Sequence, residues 1–265
     1  MKDYILSIDQ GTTSTRVIIF DKKFNFKSSS QKEFKQIFPR DGEVEHDPEE
    51  IYQSVLFTAK EAIRKAKIKS TQIRSIGITN QRETTVLWDK TNGKPVYNAI
   101  VWQDRRTVKF CKSLVQKGFA KKIQKTTGLI VDSYFSASKI HWLLTNSKKA
   151  KELLKKDKLL FGTIDTWLLW KLTDGQSHYT EATNASRTML FDIKKNQWSK
   201  EMLQIFKVPE KILPIVKDSA DDFGQTTKFG SKIPIQGIAG DQQACLLYTS
   251  PSPRDRTRSR MPSSA

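Results

Sequence analysis

The feature that most constrains this fold is a pair of short apolar runs joined by a polar hinge, almost at the N-terminus. Tyr4-Ile5-Leu6-Ser7-Ile8 leads into Asp9-Gln10-Gly11-Thr12-Thr13-Ser14-Thr15, and Arg16-Val17-Ile18-Ile19-Phe20 follows. Both runs are β-branched or aromatic and of strand length, so the spacing predicts strand, Gly-centred turn, strand. A tight turn of this kind exposes several backbone N–H groups on one side. Successive N–H groups form a concave anion site, to which Thr12, Thr13 and Ser14 add hydroxyl donors. Asp9, at the end of the first strand, suits such a site only if a divalent cation bridges carboxylate and anion. Mg²⁺ is held in that way, by one or two carboxylates plus phosphate oxygens. The pattern fits a phosphate site, and a plain Thr-rich hairpin accounts for it equally well.

Downstream, Phe24 to Phe38 alternates loosely and reads as a third strand with an extended segment. Asp47-Pro48-Glu49-Glu50 is a helix start, with Asp at the cap, Pro in the first turn and acids against the dipole. Ile51, Val55, Ala59 and Ile63 then recur every four residues. Ile73 to Thr79 is a buried strand, followed by the polar Asn80-Gln81-Arg82-Glu83, a further strand over Thr84 to Trp88, an Asn92-Gly93 hairpin turn and a return over Ala99 to Trp102. From Asp104 to Leu172 the expectation is mainly helical. Trp198 to Phe206 is a short helix, and Ile233 to Asp241 a strand ending in a Gly-Asp turn. The order predicts an α/β layer with parallel and antiparallel pairing mixed.

With 265 residues the chain can bury a real core. No apolar run reaches membrane-spanning length, and the first residues enter a strand with no signal-like segment, so a cytoplasmic location is expected. The two cysteines, Cys111 and Cys245, offer neither a disulfide framework nor metal spacing. A net charge of +18 raises nucleic acid as a partner. The lysines are scattered along amphipathic helices, however, with no basic stripe interleaved with aromatics, so no nucleic acid partner is expected. Residues 246–265 change character: four arginines and one aspartate stand among serines and prolines. That segment reads as a disordered, non-native tail after a domain spanning 1–245.

Seven segments, in order, resemble the carbohydrate kinases and among them the glycerol kinases. They are Asp9-Gln10-Gly11-Thr12-Thr13-Ser14, Asn80-Gln81-Arg82-Glu83-Thr84, Val101-Trp102-Gln103-Asp104-Arg105-Arg106, Tyr134-Phe135-Ser136, Thr163-Ile164-Asp165-Thr166-Trp167-Leu168, Asn184-Ala185-Ser186-Arg187-Thr188-Met189 and Gly237-Ile238-Ala239-Gly240-Asp241-Gln242-Gln243-Ala244. The resemblance implies an actin/hexokinase-like (ribonuclease H-like) mixed sheet with flanking helices. It also implies a C-terminal companion domain, carrying the adenosine pocket, that this chain lacks.

The implied activity is transfer of phosphate from ATP to glycerol with Mg²⁺, giving sn-glycerol 3-phosphate, this chain being an N-terminal portion. A triol needs paired acceptors, paired donors and an apolar wall. By resemblance, Glu83 and Asp241 accept, Arg82 and Gln242 donate, Tyr134 does either, and Trp102 supplies a flat face. Asp241 is the implied general base and, with Asp9, a metal ligand; Gly11, Thr12, Thr13, Ser14 and Arg16 are the implied nucleotide phosphate contacts. Asp104, Arg105, Arg106 and Asp165 read as structural. Other readings of the residues stay open: Trp102 as core, Arg82-Glu83 as a surface ion pair, and the whole chain as a kinase for another small polyol or sugar, or as a non-catalytic basic binding domain. Homo-oligomerisation of the full-length protein stays open as well.

Overall fold

In the computed structural model, which describes residues 3–249, the N-terminal hairpin forms where its pattern places it. Strands β1 (Tyr4–Gln10) and β2 (Ser14–Asp21) pair antiparallel, from Tyr4 opposite Asp21 to Gln10 opposite Thr15. Strand β3 (Phe26–Glu33) extends the sheet beside β2. Alternation puts Leu6, Ile8, Val17 and Ile19 on one face, and all four are fully buried.

After the two-residue β4 (Glu45–His46), helix α1 (Pro48–Lys65) begins as expected. The Asp47 carboxylate accepts the Glu49 N–H at 2.9 Å, and Pro48 occupies a position where a missing N–H costs nothing. Its Ile51, Val55, Ala59 and Ala62 lie on the apolar face of the sheet, while Lys60 and Lys65 stay in solvent. Strand β5 (Ile73–Asn80) then enters parallel to β1 on the side away from β2.

In the middle of the chain the expected hairpin forms as an irregular antiparallel pair around the Asn92-Gly93 turn. Strand β6 (Val86–Asp89) meets the return segment through the Trp88–Pro95 bridge, the Val96 N–H to Leu87 carbonyl bond and the Asp89-to-Lys94 turn, with Thr85 bridging Ile100 just before it, while β7 (Ala99–Ile100) also pairs with β4. Helices α2 (Val108–Gln116), α3 (Ala120–Thr127), α4 (Ser136–Asn146) and α5 (Lys148–Lys155) follow. The expected helical stretch is interrupted by β8 (Leu159–Gly162), the ladder partner of β6, before α6 (Ile164–Leu172). All eight residues of this ladder are buried because it separates two cores. Val86, Trp88 and Leu160 face the core under the main sheet; Leu87, Leu159 and Phe161 face the core of the helical layer.

The remainder comprises β9 (Tyr179–Glu181), α7 (Ala182–Ala185), β10 (Phe191–Asp192), β11 (Gln197–Trp198), α8 (Lys200–Phe206), β12 (Ile215–Lys217) and β13 (Gln225–Thr226), then β14 (Ile233–Gly240) and α9 (Asp241–Thr249). The expected Gly-Asp turn after β14 is instead the start of α9, so Asp241 is a helix-opening residue. Strand β14 lies parallel to β5, completing the order β13-β14-β5-β1-β2-β3, a mixed sheet as anticipated. Helix α9 runs four residues past the expected boundary at 245. Residues 250–265, the rest of the segment read as a tail, lie outside the described residues.

Gly162, at the junction of β8 and α6, has no room for a side chain. A Cβ there would stand 2.6 Å from Thr166 Cβ and 2.9 Å from the Trp88 ring, both buried. Gly162→Ala is therefore expected to destabilise the domain by about 1–3 kcal/mol through overpacking, measured by urea unfolding. An unchanged unfolding midpoint would contradict the packing described.

Candidate active site

The site grows from three strand ends. Gln10 of β1, Asn80 of β5 and Gly240 of β14 share one rung of the parallel ladder, so the chain leaves all three strands at one level. Just past that rung stand Gly11, Gln81 and Asp241. The rung itself is tied by buried amides. The Gln81 side chain donates to Gln10 Oε1 and to the Gly11 carbonyl, each at 3.1 Å. Asn80 and Asn184 exchange side-chain bonds at 2.9 and 3.1 Å. Glu181 caps α7 and also accepts from Asn184 and Ser219, while the Gly240 N–H donates to Thr183 Oγ1 at 2.8 Å.

The turn after β1 is tight because the Gly11 N–H donates to the Ser14 carbonyl at 2.9 Å. That N–H is therefore committed to closing the turn and is not part of an open anion cradle, contrary to the first expectation for Gly11. Thr12, Thr13 and Ser14 form the turn's outer rim, and Thr13 is exposed. Arg16 stands opposite Asp9 in the β1–β2 register, exposed, with its charge felt by that carboxyl.

Asp9 is held above the ordinary carboxylate range first by burial and then by the negative charge of Asp241, with Arg16 opposing. The charge of Asp241, at the start of α9 just past β14, thus reaches Asp9 of β1 across the end of β5. Among the described residues no group of three or more acidic, His or Cys side chains is arranged to hold a metal ion by itself. A pair of carboxylates suits Mg²⁺, which is usually held by one or two carboxylates together with phosphate oxygens and seldom by an all-protein cage.

Arg82 is almost completely buried and reaches three residues of α9. Its Nη2 donates to Gln242 Oε1 at 2.5 Å, its Nη1 to Gln243 Oε1 at 3.0 Å, and its Nε lies 3.4 Å from Asp241 Oδ1. The aliphatic stem of Arg82 passes beneath Gly240, where a Cβ would come within 2.3 Å of Arg82 Cδ. Gln242 was expected to donate to a substrate; toward Arg82 its carbonyl accepts. Glu83 is likewise buried, so the pair is not a surface ion bridge. Its backbone sits at φ 60°, an uncommon conformation for a residue with a side chain and of the kind concentrated at functional sites.

The charge partner of Glu83 is Arg187, whose Nε donates to Glu83 Oε1 at 2.6 Å. Burial raises the Glu83 carboxyl, while Arg187, Arg82 and Lys139 pull it back down. The Arg187 bond engages one of the two Glu83 carboxylate oxygens. Trp102 is half-buried rather than core: its ring packs on Tyr134 at 5.3 Å, and its Nε1 donates to Thr12 Oγ1 at 3.1 Å. The Arg187 guanidinium lies 5.7 Å from the Tyr134 ring centre. One continuous run of contacts therefore leads from Asp241 through Arg82, Glu83 and Arg187 to the Tyr134–Trp102 wall and on to the Thr12 turn.

Asp104 and Arg106 are structural, as read. Asp104 accepts the Val44 N–H at 2.7 Å and bonds Arg106, whose Nη2 also donates to buried Glu45 at 2.7 Å, anchoring the loop that carries Trp102. Asp165 is buried and bonded to Thr163 and Thr180 at 2.5 and 2.6 Å, and burial pushes its carboxyl up to about 6. Arg187 and Gln243 were passed over in the sequence although both lie inside matching segments. Only their neighbours in space reveal their part.

The comparisons agree with this geometry. Residues 4–247 match the FGGY family of carbohydrate kinases, N-terminal domain. The glycerol kinase of Sinorhizobium fredii is 57% identical over 249 residues, covering 93% of this chain and 50% of that protein. Glycerol kinase 2 of Thermotoga maritima is 54% identical over 246 residues, covering 92% and 50%. The crystal structure of Plasmodium falciparum glycerol kinase with ADP superposes with a TM-score of 0.87 at 39% identity, covering 92% of this chain and 49% of that one. The chain thus spans about half the length of the curated relatives it matches. With the strand-end cleft and the motif order in agreement, the chain belongs to the FGGY family of carbohydrate kinases, as that family's N-terminal domain.

Proposed function

We propose that this domain holds glycerol, Mg²⁺ and the ATP phosphates for phosphoryl transfer giving sn-glycerol 3-phosphate and ADP. The observation that carries the reading is the continuous run of contacts through Asp241, Arg82, Glu83, Tyr134, Trp102 and Thr12, with Gln242 beside Arg82. It offers two carboxylate acceptors, a guanidinium, an amide and an aromatic wall beside the phosphate turn. The relatives named glycerol kinase support the substrate, and the relative crystallised with ADP supports the nucleotide.

Phosphoryl transfer asks mainly for positioning and neutralised charge. In this reading Glu83 accepts one glycerol hydroxyl on the oxygen that Arg187 leaves open, and Arg82 donates to another. The C–H face of the triol lies on Trp102 and Tyr134. Asp241 accepts the proton of the terminal hydroxyl as that oxygen attacks the γ-phosphorus, with Arg82 Nε beside it to orient the carboxylate. Asp9 and Asp241 would hold Mg²⁺, which supplies the charge that neutralises the phosphate oxygens. Thr12 accepts from Trp102 and so keeps its own O–H for a phosphate oxygen, linking glycerol wall and phosphate turn through one hydroxyl. Arg16 adds a cation at the same rim.

The test is turnover by a chimera in which residues 1–247 are joined to the second half of the Sinorhizobium fredii protein. Glycerol is expected to exceed pentuloses and erythritol as acceptor, and failure to phosphorylate glycerol overturns the reading. In the same chimera, Asp241→Asn is expected to lower kcat by about 10² or more, the usual range for losing a general base. Near-normal turnover would remove Asp241 from that role. Because burial raises the Glu83 carboxyl, its protonation on acidification begins above the ordinary carboxylate range. Protonation removes an acceptor and the Arg187 pair, so KM for glycerol is expected to rise as pH falls toward that range. In Glu83→Gln the KM should be high and flat over the same pH span.

A further inference from the structure

A buried lysine lies directly behind the aromatic wall. Lys139, on the first turns of α4, is fully buried, and its Nζ donates to three consecutive carbonyls: Ser133 at 2.5 Å, Tyr134 at 2.7 Å and Phe135 at 3.4 Å. An ammonium has three donors, and all three are used. The placement is costly twice over. A charge is taken out of water, and it stands near a helix N-terminus, where the dipole disfavours cations. Phe135 at the N-cap of α4 contributes no side-chain cap, and the Ser138 hydroxyl shares its carbonyl with Lys139 at 3.4 Å.

The three carbonyls belong to the segment that presents Tyr134. That residue's N–H is fixed on the other side by Asp132 Oδ1 at 2.8 Å. Its ring meets Trp102, Phe135 and the Arg187 guanidinium. Ser136, the next residue, donates to the Glu83 carbonyl at 2.9 Å. The conformation of residues 133–136 therefore decides where both the aromatic wall and the backbone of Glu83 stand.

We propose that Lys139 is a positioning residue for the polyol pocket, its ammonium gathering the Ser133, Tyr134 and Phe135 carbonyls and so holding Tyr134 against Trp102. The role in turnover rests on the glycerol reading above; the hold on the loop does not. The groups facing Lys139 are Asp104, Glu83, Cys111 and Asp132, all of which favour its charge, yet burial outweighs them and draws its pKa down to about 8. Burial pushes the Cys111 thiol and the Tyr134 hydroxyl the other way, out of that range. A neutral amine has only two N–H donors for three carbonyls, so the hold slackens as pH rises through that value.

The experiment has two arms. In the chimera, KM for glycerol is expected to rise at least threefold between pH 7 and 9.5 while KM for ATP changes less than twofold. Lys139→Met should show a KM for glycerol at least tenfold higher at pH 7, kcat within threefold, and no further rise with pH. A flat native profile, or a folded Lys139→Met with native KM, overturns the proposal. The second arm needs no turnover: amide hydrogen exchange of the peptide covering 131–137 in this chain, native against Lys139→Met. At least tenfold faster exchange confined to that peptide supports the proposal, and unchanged exchange overturns it. A chimera inactive on glycerol with accelerated exchange in the variant would defeat the glycerol reading and leave the loop assignment standing. If Lys139→Met does not fold, the native pH profile alone decides.

Discussion

Everything functional here depends on three parallel strands ending on one rung. Adjacent strands are about 4.8 Å apart, so β1 and β14, separated by β5, bring their C-terminal ends within roughly 10 Å of one another. Each end releases a different group: Asp9 and the Thr12 turn from β1, Arg82 and Glu83 from β5, Asp241 and Gln242 from β14. Shifting any one strand by a residue would turn its alternating side chains to the opposite face and take its group out of the cleft. The register is pinned by the buried amides of Gln10, Asn80, Gln81 and Asn184, whose bonds are satisfied within the protein. Buried polar networks of this kind specify one arrangement when all their members are paired.

Much of this was legible because it follows short-range rules. Alternation and a Gly turn gave β1 and β2, Asp47-Pro48 gave the start of α1, and the seven motif segments, in order, indicated the fold. Other parts need long-range information. Leu159-Leu160-Phe161-Gly162 is a four-residue apolar run between helical patterns, and only its pairing with Val86–Asp89 shows that it is a strand. Gly240-Asp241 has the look of a turn, but Arg82 running under Gly240 and bonding Gln242 and Gln243 fixes that end as a helix start. Gly11 reads as an anion-binding amide and proves to be a turn-closing one.

The charged residues show the same division. Lys60, Lys65, Lys148, Lys149, Lys151, Lys155 and Lys156 are exposed, as their helical spacing suggests, and account for part of the net charge of +18. Lys139 and Arg187 look no different in the sequence, yet one is sealed under the Tyr134 loop and the other holds Glu83. A basic residue reveals such a task only through what surrounds it. Around this cleft the buried cations meet carbonyls, carboxylates and amides in turn, so the pocket's shape is set by charge-assisted hydrogen bonds as much as by apolar packing.

The central claim, that the β1 and β14 ends present Asp9 and Asp241 to one shared site, is tested most directly by the titration of Asp9. Carbon-13 NMR of the Asp9 carboxyl would be recorded against pH in the native chain and in Asp241→Asn. The account predicts a native Asp9 pKa above the ordinary aspartate value and a clear fall when the Asp241 charge is removed, leaving burial as the remaining upward influence. An Asp9 pKa that is ordinary in the native chain, or indifferent to Asp241→Asn, would contradict it.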